Sequence, residues 1–183
     1  LSDDELGRFA CAAGLTIGSS TSGNVTVSGI TSSNSDAVGT ASLVALSDNK
    51  QVEFSTNATQ FNKGIIVQAM GGVHLSTSVE TKSSATVMSA GTGTLAIVSS
   101  KHLSTNGQAL LITANDLDIA GTITTGSEMI TVKSLMRRIS QVMAAAALMP
   151  LAHAAPSASG QPLEGAIAGS VDGMALYQAH CAA

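Results

Sequence analysis

Aromatic residues are almost missing: the 183-residue chain has no tryptophan, one tyrosine and three phenylalanines. The thick core of a β-sandwich usually draws on large side chains, so this scarcity points to a thin core of Val, Ile, Leu and Ala. Charge is sparse as well, at 11% of residues with a net charge of −4, and basic residues stand singly except for Arg137-Arg138. Phosphate binding needs clustered Lys and Arg, so nucleic acid is excluded as a partner. The two cysteines, Cys11 and Cys181, lie in compositionally different parts of the chain, which argues against a disulfide framework. No apolar run reaches the roughly 20 residues that span a bilayer. The nearest, residues 139–151, is shorter and interrupted by Pro150, so no stable transmembrane span is expected.

Proline is absent before Pro150, whereas the last threonine is Thr131 and the last asparagine Asn115. This shift divides the chain into a Thr/Ser/Asn-rich front, residues 1–132, and a different rear from 136 onward, with residues 133–135 as the junction. The front opens on Ser2-Asp3-Asp4-Glu5-Leu6, whose acidic residues suit the first turn of a short helix. Short alternating segments follow, among them Gly14-Leu15-Thr16-Ile17-Gly18, Gly72-Val73-His74-Leu75 and Asp116-Leu117-Asp118-Ile119. Apolar residues at every second position put one face inward and one outward, the pattern of a strand.

Strand pairs recur about every twenty residues, with starts near Leu15, Leu43, Ile65, Thr86, Leu110 and Met129. A stacked coil buries a narrow stripe of branched residues against its neighbours and can dispense with aromatics. The expected fold is therefore all-β: a parallel β-helix (solenoid) of about five or six irregular coils, followed by a short helical or disordered tail. A β-sandwich is the alternative, favoured by variable loops around residues 32–40 and 55–63.

Gly23-Asn24-Val25-Thr26-Val27, Gly93-Thr94-Leu95-Ala96-Ile97 and the run from Ala114 to Ile123 resemble the repeats of filamentous-haemagglutinin-type adhesins and related β-strand-repeat proteins. The resemblance covers most of residues 14–132. It implies a right-handed β-helix, a secreted or cell-surface location, and a structural or adhesive role without catalysis. Its partners would be glycans, cell surfaces or neighbouring copies.

The rear begins Met136-Arg137-Arg138, runs through the apolar segment 139–151 and reaches Ala152-His153-Ala154. Arginines, a short apolar core and a small-x-small site are the three parts of a secretory signal peptide. Residues 136–154 are thus expected to engage the secretion machinery and to be cleaved after Ala154. Residues 155–183 form a flexible linker and then Asp172-Gly173-Met174-Ala175-Leu176-Tyr177-Gln178-Ala179-His180-Cys181. That ending is similar to the first helix of bacterial periplasmic c-type cytochromes, which leads into Cys-x-x-Cys-His. The resemblance implies that Cys181 is the first cysteine of an incomplete haem-attachment motif. As written the chain has no second cysteine or ligand histidine, so no cofactor is expected; haem c would require the chain to continue past Ala183. Helices are expected over residues 135–148 and 173–180. The two parts read as a chimeric or misjoined chain, the alternative function being a periplasmic electron-transfer fragment.

Few side chains suggest chemistry. Asp116 and Asp118 share a strand face, as paired acids do in polysaccharide-active β-helix enzymes, the weaker functional alternative. Their more ordinary role is the solvated face of a strand with Leu117 and Ile119 inward. His74 alternates with Val73 and Leu75 and points outward; His102 falls in a turn-like region at the surface; His153 sits in the tolerant middle of the cleavage site. Cys11, in Phe9-Ala10-Cys11-Ala12-Ala13, is expected as a small buried residue. Asn24-Val25-Thr26 and Asn57-Ala58-Thr59 match the glycosylation pattern. No catalytic residue and no metal site is assigned, and Gly71-Gly72 and Gly91-Thr92-Gly93 read as turns with no phosphate loop.

Overall fold

The computed structural model describes residues 1–134. Five coils and the first strand of a sixth are built from strands β1 (Leu15–Ser19), β2 (Val25–Val27), β3 (Ala41–Ala45), β4 (Gln51–Phe54), β5 (Thr59–Gln60), β6 (Ile65–Ala69), β7 (Gly72–Leu75), β8 (Val79–Glu80), β9 (Thr86–Ser89), β10 (Thr94–Ile97), β11 (His102–Ser104), β12 (Leu110–Ala114), β13 (Asp116–Ile119), β14 (Thr122–Thr124) and β15 (Ile130–Ser134). They assemble into three sheets, β1-β3-β6-β9-β12-β15, β2-β4-β7-β10-β13 and β5-β8-β11-β14. Every strand pair is parallel. Parallel neighbours need a crossover connection, and here that connection is the rest of the coil. The solenoid expectation holds, and the all-parallel pairing removes the sandwich alternative, whose sheets are antiparallel.

Register explains why branched side chains suffice. Leu43, Val67, Met88 and Ile112 stack through the first sheet, and Val52, Val73 and Leu95 through the second. All are essentially sealed from solvent. At about 25 cal/mol per Å² of apolar surface, such ladders supply most of the driving force. The core is not free of aromatics, however: Phe54 stacks between Val27 and Leu75 and is fully buried, and Phe61 is nearly so.

Phe61 fills the corner after the third sheet's first strand, and the following coils place Thr81, Thr105 and Thr125 at that position. Each threonine there is buried and bonds within its own turn. Thr81 Oγ1 lies 2.6 Å from Thr86 Oγ1, Thr105 Oγ1 donates to Gln108 O, and Thr125 Oγ1 donates to Glu128 O at 2.7 Å. Left-handed backbone follows at Ser83, Asn106 and Gly126, which turns the chain back into the first sheet.

At one end, α1 (Asp3–Leu6) buries Leu6, as the acidic opening of the chain leads one to expect. The Asp3 carboxylate accepts from Thr31 N (2.7 Å) and Thr31 Oγ1 (3.0 Å), and Thr31 caps α2 (Ser32–Ser35) by accepting from Asn34 N. In the first coil α2 stands where later coils place a third strand. Gln60 N donates to Ile30 O, and Asn62 Nδ2 donates to Ser32 O at 2.7 Å, so the edge of β5 is covered.

At the other end β13 is an edge strand with all four residues exposed. Leu117 and Ile119 continue the inward columns of Leu95 and Ile97, as expected in direction, yet they are 41% and 37% exposed. No described strand pairs with their far side. β15 extends to Ser134, two residues past the expected boundary at 132. The signal-like residues 136–154, the helices expected over 135–148 and 173–180, His153 and Cys181 lie outside the described residues.

Candidate functional site on the third sheet

The strongest constellation of polar side chains is on the outer face of β5-β8-β11-β14. Inward positions there are Thr59, Val79, Leu103 and Ile123, so the alternate positions face outward. One outward column runs Gln60, Glu80, Ser104, Thr124; the other includes Ser78, His102 and Thr122. Parallel strands set successive members about 4.8 Å apart.

Two turns bring Ser78, Glu80 and His102 together. Buried Thr77 rounds the corner after β7, and Thr59 N holds Ser78 O at 2.9 Å. The turn closed by Lys101 N on Val98 O, with Ser100 at φ 63°, delivers His102 to the start of β11. Ser78 Oγ then lies 3.1 Å from His102 Nδ1 and accepts from His102 N at 3.3 Å. The other ring nitrogen, Nε2, is 3.4 Å from Glu80 Oε1. An ionised carboxylate is an acceptor only, so in the neutral ring Nε2 carries the proton and Nδ1 accepts from the serine hydroxyl. The chain of bonds is Ser78 to His102 to Glu80. Beside it, Ser32 Oγ donates to Gln60 Oε1 at 3.0 Å and Lys82 Nζ reaches Ser32 Oγ at 3.4 Å. Both His102 and Glu80 remain partly open to solvent.

Residues singled out from sequence fall elsewhere. Asp116 and Asp118 lie exposed on the outer face of the second sheet beside Thr94 and Ala96, and neither is bonded through its side chain among the described residues. His74 faces outward between Glu53 and Ala96. His102 is not in a turn but in a strand, and among the described residues it is the histidine with bonded partners at both ring nitrogens. Cys11 is free and only partly buried, bridged to Val38, which corrects the expectation of a buried residue. Of the glycosylation-type triplets, Thr59 is sealed in the core, and Asn24 Oδ1 accepts from Gln51 N at 3.1 Å. Gly72 and Gly91 adopt positive φ, in keeping with turns. Among the described residues no three His, Cys, Asp or Glu side chains come together as metal ligands, and no helix is long and apolar enough to cross a membrane.

Sequence reading missed this face because its strands are only two or three residues long, too short for alternation to stand out as a period. The corner threonines were the available signal. Aligning Thr81, Thr105 and Thr125 puts Ser78, His102 and Thr122 in one column. No protein-family model, curated protein or solved structure matches the chain.

Proposed function

We propose that the solenoid is a structural or adhesive module of a secreted or surface protein, and that its outer third sheet is the contact face for hydroxyl-rich glycan chains. The observation carrying this reading is the composition of that face: Gln60, Glu80, Ser104 and Thr124 in one column, His102 and Thr122 in the next, with no large apolar side chain between them. The first sheet differs, presenting Ile66, Val87 and Leu111 outward. Side chains fixed to a rigid ladder lose little freedom on binding, and many weak bonds at regular spacing sum to avidity. The resemblance to filamentous-haemagglutinin-type repeats supports the same role. The test is binding of the full chain to a panel of immobilised polysaccharides, with retention on at least one expected.

The signal-peptide pattern of residues 136–154 favours a separate reading of the rear, as the front of an exported c-type cytochrome joined to the solenoid. Expression in a Gram-negative host followed by mass analysis tests it: a fragment starting at Ala155 supports that reading, and an uncut chain opposes it.

A further inference from the structure

We propose that Ser78 is an activated nucleophile and that, with His102 and Glu80, it hydrolyses small acyl esters carried on chains bound at the third-sheet face. The proposal goes beyond contact, adding a reaction at one point of the surface, and its substrate class rests on the glycan-contact reading.

The geometry supplies the parts of nucleophilic catalysis. With Nε2–H donating a hydrogen bond to the Glu80 carboxylate and keeping its proton, the Nδ1 lone pair faces Ser78 Oγ at 3.1 Å, within reach for proton transfer. His102 N–H, 3.3 Å from the same oxygen, occupies an acceptor site of the hydroxyl and directs its proton toward Nδ1. The backbone N–H groups of Thr77 and Ser78 donate to nothing among the described residues; Thr77 is buried, so the Ser78 N–H, on the same residue as the nucleophile, is the donor assigned to an oxyanion. The group stands on an open, flat face. It can therefore meet an ester on a polymer, and it lacks walls to hold a long acyl chain.

The step proceeds as Ser78 Oγ bonds to the ester carbonyl carbon while its proton passes to His102 Nδ1. The imidazolium, faced by the Glu80 carboxylate, then gives that proton to the leaving alkoxide as the ester C–O bond breaks. Water, deprotonated by His102 Nδ1, attacks the acyl-serine. The carboxylic acid departs and Ser78 recovers its proton. Ser78 is the nucleophile, His102 the base, and Glu80 a positioning residue acting through the ring.

The test treats the full chain with a fluorophosphonate probe and maps the adduct by tandem mass spectrometry, alongside release of acetate from a small aryl acetate. The expected result is an adduct on Ser78 that disappears in Ser78→Ala, with labelling slowed about 100-fold or more in His102→Gln. Nitrogen NMR of the ring should show the Nε2–H form in the parent and a mixture of tautomers in Glu80→Gln, with labelling of Ser78 slowed in the same variant while its circular dichroism spectrum is unchanged, a pairing that a merely structural carboxylate would not produce. No adduct at Ser78, or equal labelling rates in the parent and in a His102→Gln variant with an unchanged circular dichroism spectrum, overturns the proposal. Labelling at Ser78 without polysaccharide binding keeps the reactive serine and removes only the glycan as carrier. Binding without labelling does the reverse.

Discussion

Leu117 stands in parallel register on Leu95, yet Leu95 is fully buried and Leu117 is 41% exposed. The two leucines occupy equivalent places in successive coils, so the difference comes from having a described neighbour on both sides or on one. Leu95→Ala should cost about 2–5 kcal/mol, through lost transfer energy and the cavity left behind. Leu117→Ala should cost less, about 1–2 kcal/mol, because 41% of its surface already meets water and the site is open on one side, so truncation leaves no closed cavity. Urea unfolding of the two variants, followed by circular dichroism, checks the contrast.

The buried pair Thr81 and Thr86 makes a second, sharper case. Each hydroxyl satisfies the other at 2.6 Å inside the corner. Thr86→Val strands the Thr81 hydroxyl and should destabilise by about 1–3 kcal/mol, whereas replacing both with valine should cost less than the single changes added together. A double-mutant cycle in urea measures this.

Close backbone approach sets a third expectation. A Cβ on Gly64 would lie 2.0 Å from Ala85 O, a backbone atom of the next coil that cannot swing aside. Gly64→Ala should lower stability by about 2 kcal/mol or more. Gly23 has nothing within 4 Å of the same position, so Gly23→Ala should stay within about 0.5 kcal/mol of the parent in thermal melts.

The Glu5 carboxyl is held below the usual glutamate range, first by the Ser2 backbone N–H and then by the Ser2 hydroxyl, which donate to Oε2 at 2.7 and 3.0 Å. A lowered folded-state pKa means that the unfolded chain binds the proton more readily. The contribution is therefore present above the ordinary glutamate pKa and lost as pH falls through the lowered one. Carboxyl-carbon NMR should show Glu5 titrating below a model glutamate. The stability difference between the parent and Glu5→Gln should shrink steadily in acid.

Much of the scaffold was legible in the sequence because two of its three sheets carry strands of three to five residues with clear alternation. The starts expected near Leu15, Ile65, Thr86 and Leu110 coincide with β1, β6, β9 and β12, and Leu43 and Met129 fall within two residues of the β3 and β15 starts. The third sheet was not legible, since a pair such as Val79–Glu80 is too short to have a period. The Ser78–His102 contact was hidden for the same reason: it joins residues 24 apart and depends on the length of one particular coil. Burial at the far end also escaped the pattern. Alternation says which way Leu117 and Ile119 point, but not whether another layer covers them.

The central claim, that the third-sheet face makes the contacts, is tested most directly by comparing two surface variants of the full chain on immobilised polysaccharide. One carries Gln60→Ala, Ser104→Ala and Thr124→Ala; the other carries Thr26→Ala, Glu53→Ala and Asp118→Ala on the second sheet. The expected result is binding lost in the first and kept in the second, with matching circular dichroism spectra. Binding that survives the first set, disappears with the second, or is absent from the parent chain would contradict it.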